Sequence, residues 1–105
     1  MSEPGFRLHP LAARDIRDIW GCIVADNPAA ARRVREELLE AIRALVRFPH
    51  EGHRRPDLTS RPLRFTRVRD CLIAYAPQEK PLSVVAAMHG RRSPRVLAAL
   101  LRERD

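Results

Sequence analysis

From Pro10 to Arg47 the apolar residues of this chain recur every three or four positions, whereas from Leu63 to Met88 they alternate or run unbroken. That change of period is the strongest constraint on the fold. A helix has one stripe to bury and a strand has one or two faces, so the chain divides into a helical first half and a β second half. Neither half has a core of its own, and the two must cover each other.

The helical half is punctuated sharply. Pro10 suits a first helical turn, and Ala12, Ile16, Ile19 and Ile23 then share a face of a helix predicted over Pro10–Ala25. Trp20 is placed beside them, so Trp20, Ile16 and Ile23 are expected to pack beneath the sheet against Val34, Leu38 and Ile42. Asp26-Asn27-Pro28 supplies an N-cap and a first-turn proline for a second helix. Its stripe of Ala30, Val34, Leu38, Ile42 and Leu45 runs to about Arg47, before Pro49 stops it.

The β half is equally legible. Phe6-Arg7-Leu8-His9 alternates as a short first strand should. After a loop over 49–62, Leu63-Arg64-Phe65-Thr66 alternates and Arg69-Asp70 makes a turn. Cys71 to Ala76 is then unbroken apolar sequence, which suggests a strand covered on both faces. Pro77-Gln78-Glu79-Lys80-Pro81 turns the chain into a third strand, Leu82 to Met88, completing an antiparallel meander. Ser93-Pro94 opens a last helix bearing Val96, Leu97, Leu100 and Leu101. The expected plan is α+β, in the order β-α-α-β-β-β-α: a small antiparallel-type sheet with a helical hairpin on one face.

With 105 residues this is one domain spanning 1–105. The sequence contains no apolar run long enough to span a bilayer and no secretory leader, and its two cysteines are read as reduced thiols, so a cytoplasmic protein is expected. Charge is uneven. Residues 1–53 balance eight arginines with eight carboxylates, while residues 54–105 set twelve basic against five acidic groups and so hold the entire +7. A field concentrated in this way favours an acidic partner, although a solvated basic surface gives the same count.

Catalytic signatures are sparse. His50, Glu51 and His53 on a proline-bounded loop make a poor metal site, and there is no glycine-rich phosphate loop, nucleophile elbow or carboxylate pair. No cofactor or metal is expected. What stands out is an arginine-rich surface: Arg61, Arg64, Arg67 and Arg69 along the strand after the loop, then His89, Arg91 and Arg92 after the last strand. Tyr75 ends the central strand, where it serves equally well as a core aromatic. Arg64 and Arg67 also suit an edge strand that must resist aggregation.

Asp15-Ile16-Arg17-Asp18-Ile19-Trp20, followed by Asn27-Pro28-Ala29-Ala30-Ala31, resembles the helical hairpin of the RelE/ParE toxin superfamily. Phe48-Pro49-His50-Glu51-Gly52-His53-Arg54, Leu72-Ile73-Ala74-Tyr75 and Met88-His89-Gly90-Arg91-Arg92 follow in the same order and spacing. The resemblance covers almost the whole chain. It implies the toxin of a bacterial type II toxin–antitoxin system, a cognate antitoxin, and one of two targets. ParE-like members poison DNA gyrase and have no known catalytic residues of their own. RelE-like members cut messenger RNA on the ribosome.

The Asn27-Pro28 helix start and the His89–Arg92 ending favour the ParE-like branch, although Ser93 stands where an acidic residue often follows the two arginines. The single lysine, Lys80, sits in a turn, whereas RelE-like enzymes use several. On the gyrase reading, His89, Arg91, Arg92, Arg95 and Leu101 contact the target by binding alone. Arg61, Arg64, Arg67, Arg69, Leu97 and Leu101 are expected to meet an acidic antitoxin segment, with a strand added at the Leu63–Val68 edge. On the ribonuclease alternative, Arg64, Arg67, Tyr75, His89 and Arg91 form the catalytic set. A stand-alone nucleic-acid-binding module is a third reading. It explains the charge but not the hairpin.

Overall fold

The computed structural model describes residues 2–3 and 5–104, with side chains from residue 5 onward. The elements are β1 (Ser2–Glu3), β2 (Phe6–Leu8), α1 (Pro10–Val24), α2 (Pro28–Arg47), β3 (Arg64–Val68), β4 (Cys71–Ala76), β5 (Leu82–His89) and α3 (Pro94–Arg102). The expected α+β order is present, with the two-residue β1 added at the front. All three helices begin as the sequence dictates, each with a proline in its first turn. His9 Nδ1 accepts from Leu11 N at 3.0 Å, Asn27 Oδ1 from Ala30 N at 3.1 Å, and Ser93 Oγ from Val96 N at 3.3 Å. Each cap satisfies a backbone donor that the first turn leaves open.

The sheet runs in the order β1-β2-β5-β4-β3. The β3-β4-β5 meander is antiparallel as expected. It is β2 that makes the sheet mixed, pairing parallel to β5 with Phe6, Leu82, Leu8 and Val84 in register. The crossover through α1 and α2 carries the chain back to the same end of the sheet, which makes that pairing parallel.

Two cores result. On one face Val34, Leu38, Ile42 and Leu45 of α2 and Ala12 and Ile16 of α1 meet Ile73, Tyr75 and Val84. On the other, Leu97 and Leu101 of α3 join Leu58 and Leu63 of the preceding loop over Phe65, Leu72, Ala74 and Met88. Each fully buried Leu or Ile contributes on the order of 1.5–3 kcal/mol. The unbroken apolar run of β4 therefore serves both faces. A β-bulge opposite Ala74 and Tyr75 resets the alternation of β5, so Val85 and Ala86 both belong to the second core.

Trp20 is not in either core. It is 42% exposed, whereas Ile16 is 7% exposed. Four residues on a helix advance about 40° beyond a full turn, so Trp20 sits at the flank of the stripe that Ala12, Ile16, Ile19 and Ile23 define. The expected burial beneath the sheet is thereby corrected. Trp20→Ala should lower stability by about 1 kcal/mol or less, against ~3–5 kcal/mol for a buried tryptophan. A thermal melt that falls by more than about 10 °C would return Trp20 to the core.

Candidate functional site

The arginines gather at the end of the sheet where the β3–β4 turn meets the end of β5. Val68 pairs with Cys71, leaving Arg69 and Asp70 as a two-residue turn, and Arg69 takes the left-handed φ of 54°. A non-glycine residue holds that conformation only when its surroundings fix it. Here the Arg69 guanidinium forks onto Glu37 of α2 through Nε and, at 3.2 Å, Nη2. That hydrogen bond holds the Glu37 carboxyl below its usual range.

Gly90 comes next. Its N–H donates to Asp70 O at 2.7 Å, and a Cβ there would lie 3.2 Å from that oxygen and 3.4 Å from Arg67 Nη2. The glycine lets the turn and the Arg67 side chain close onto the end of β5. His89 Nδ1 accepts from Arg91 N at 3.3 Å, which ties the ring to the departing chain. The Arg91 side chain is 79% exposed and lies 3.8 Å from the Asp70 carboxylate. Arg67, Arg92 and Arg95 are exposed and make no ion pair among the described residues. Beside them a cleft of about 450 Å³ opens between α1 and the sheet, with Ile19 and Ile23 on one wall and Met88 and His89 on the other.

Tyr75 and Arg64 sit at the opposite end of β4. Tyr75 is fully buried; its hydroxyl donates to Pro49 O at 2.8 Å and accepts from Gly52 N at 2.9 Å. Arg64 donates to Gly52 O at 2.7 Å and His50 O at 3.3 Å. His53 completes the arrangement, exchanging two backbone hydrogen bonds with Phe65 at 2.9 and 2.8 Å. Together they staple residues 49–53 to the sheet and occupy part of the β3 edge expected to accept a strand.

Burial pushes the Tyr75 hydroxyl above its ordinary value, against the opposing hydrogen bond from Gly52. The folded state therefore holds this proton more tightly than the unfolded chain. The corresponding stability is complete below about pH 10 and drains away as pH climbs past it. Tyr75 is the only tyrosine, so phenolate absorbance reads it alone. Ionisation should appear above the free-tyrosine value and coincide with loss of helical circular dichroism. Titration at the free value in a folded protein would contradict the burial.

The residues named as a catalytic set are thus divided. Arg67, His89 and Arg91 share one end, while Arg64 and Tyr75 lie roughly 10 Å from the level of Arg67 and roughly 13 Å from that of His89 along the strands, at 3.3 Å per residue. The residues named for antitoxin contact are also dispersed. Arg61 donates to Arg104 O at 2.6 Å, Arg69 is held by Glu37, and Leu97 and Leu101 are 3% and 1% exposed within the second core. Asp15 and Arg104 carried no sequence signal. Beyond Leu8, β5 has no strand on its β2 side among the described residues; there Asp15 accepts from Ala87 N at 3.0 Å and the Arg104 guanidinium reaches Val85 O at 3.4 Å. The two side chains also pair with each other through both terminal guanidinium nitrogens, Nη1 to Oδ2 and, at 3.0 Å, Nη2 to Oδ1.

Residues 6–94 match the family described as the ParE toxin of the type II toxin–antitoxin system parDE. The chain belongs to the ParE toxin family. No curated relative matches it. A ParE-family toxin has a cognate antitoxin as its partner. The match spans α1 and α2 and reaches the first residue of α3, so it includes Arg67, Arg69, Arg91 and Arg92 and stops one residue short of Arg95. No helix among the described residues is long and apolar enough to cross a membrane.

Proposed function

We propose that this toxin arrests growth in the cytoplasm by binding DNA gyrase through the His89–Arg95 end of the sheet, and that an antitoxin with an acidic segment neutralises it. One observation carries the reading. Arg67 near the end of β3, Arg91 and Arg92 in the short turn after β5, and Arg95 in the first turn of α3 are all exposed, with Asp70 as a counter-charge 3.8 Å from Arg91. Guanidinium groups form forked hydrogen bonds to carboxylate or phosphate, and a short turn between β5 and α3 keeps these close to the sheet. Arg95 and the exposed Val96 extend the surface along α3. Leu101, buried beneath that helix, supports the surface from below.

The division of the catalytic candidates favours binding over ribonuclease chemistry. General acid–base transfer requires the donor and acceptor within hydrogen-bond reach of one phosphate. Tyr75 is instead committed to two backbone partners at the far end of β4.

Replacing both Arg91 and Arg92 with alanine should abolish growth arrest and weaken inhibition of gyrase supercoiling by at least about tenfold, since charged hydrogen bonds contribute on the order of 1.5–3 kcal/mol. The fold should survive, because both side chains are exposed. Cutting of ribosome-bound message by the wild type, with supercoiling untouched, would replace this reading with the ribonuclease one.

A further inference from the structure

A second surface lies on the opposite side of α1. Trp20, the only tryptophan, stands 42% exposed in a groove between α1 and α2 of about 570 Å³. Ile16, Trp20, Val24 and Pro28 give it an apolar floor. Arg17 on α1 and Arg32 and Arg35 on α2 form the rim, facing a single carboxylate, Glu36. Arg17 and Trp20 are three residues apart on one helix, as are Arg32 and Arg35 on the other. The two helices therefore present parallel ridges on either side of the floor. None of the three arginines has an ion-pair partner among the described residues.

We propose that this groove is where the acidic segment of the antitoxin docks, seating an apolar side chain on the Trp20 indole and carboxylates on Arg17, Arg32 and Arg35. The inference rests on the toxin–antitoxin reading and is independent of gyrase as the target. Charge complementarity selects the occupant. A second copy of this chain would bring a like-charged rim, and a nucleic acid would leave the apolar floor unmatched. An amphipathic acidic helix satisfies both. The groove and the arginine-rich end of the sheet share no residue, so the antitoxin would grip the toxin from the far side of α1.

Fluorescence anisotropy of labelled antitoxin, taken from the reading frame adjacent to the toxin gene, tests this against full-length toxin. Trp20→Ala should weaken binding by roughly 30-fold or more, as central aromatic anchors do. The double variant Arg32→Glu/Arg35→Glu should weaken it at least as much and flatten its salt dependence. That variant alters only exposed groups, so it carries the test if Trp20→Ala fails to fold. Gyrase inhibition by the free variants should match wild type; should gyrase prove not to be the target, antitoxin affinity still reads the groove. Binding within about twofold of wild type for the charge-reversal variant would overturn the proposal. So would a toxin dimer, seen by sedimentation, that either variant splits, since the groove would then belong to a second copy. Competition of antitoxin binding by duplex DNA, lost in the charge-reversal variant, would equally assign the groove to nucleic acid.

Discussion

Asp15→Ala is expected to destabilise the protein by about 3–5 kcal/mol, because it leaves the Arg104 charge buried without its partner. The side chains are only 17% and 9% exposed. The substitution also removes the acceptor of Ala87 N–H on the open edge of β5. For a domain with roughly 5–15 kcal/mol in total, that is a large fraction, and the melting temperature should fall by about 15 °C or more. Removing both charges with Asp15→Leu/Arg104→Met should recover most of the loss, since a buried pair replaced by apolar groups of similar size is often neutral. An Asp15→Ala variant that melts with the wild type would mean that the pair is solvated and has no structural weight.

Tyr75→Ala should have a comparable effect. Tyr75 is the largest fully buried side chain, and truncating such an aromatic costs about 3–5 kcal/mol. Its loss also frees the loop it holds. Gly52 N–H and Pro49 C=O lose their partner, and the segment that blocks the β3 edge loosens. Tyr75→Phe keeps the ring and loses only the hydroxyl, so about 1–3 kcal/mol is expected from the stranded backbone donor. Gly52→Ala acts on the same joint from the other side, as its Cβ would lie 2.6 Å from the Tyr75 hydroxyl and 2.7 Å from Phe65 O. Hydrogen exchange at Gly52 should accelerate in all three variants. Unchanged protection there in Tyr75→Ala would show that the loop is held by other contacts.

Local signals in the sequence marked every element except the two-residue β1. Caps and first-turn prolines at Pro10, Asn27-Pro28 and Ser93-Pro94 set the helix starts, and the change of hydrophobic period separated helices from strands. What escaped depends on contacts between distant residues or on fine rotation. Trp20 lies some 40° off a stripe that spacing alone places it on. Strict alternation misassigns the end of β5, because the bulge at Val85 reverses its faces. Asp15 and Arg104 meet across 89 positions, and nothing local marks either one. At the arginine-rich end the residue types were legible, yet which guanidiniums stay unpaired was not. Arg61, Arg64 and Arg69 look like Arg67 and Arg92 in the sequence, and only the folded chain commits the first three to internal partners.

The parallel pairing of β2 with β5 has a consequence for how this protein comes into being. A strand completed at Leu8 finds its neighbour only after Leu82–Val84 has been made, some seventy residues later. At ribosomal rates of about 5–20 residues per second, β2 and the helical hairpin wait for several seconds without a sheet to cover. Closing so long a loop must precede the contacts that reward it, so the hairpin cannot seal early. The arginines after β5 are synthesised later still, as is Arg104, which fastens the open edge of β5. A chain cut short anywhere before β5 has neither a closed sheet nor the arginine-rich end. The sheet and the arginine-rich end are thereby completed only after β5 has left the ribosome, well after the helical hairpin has been made.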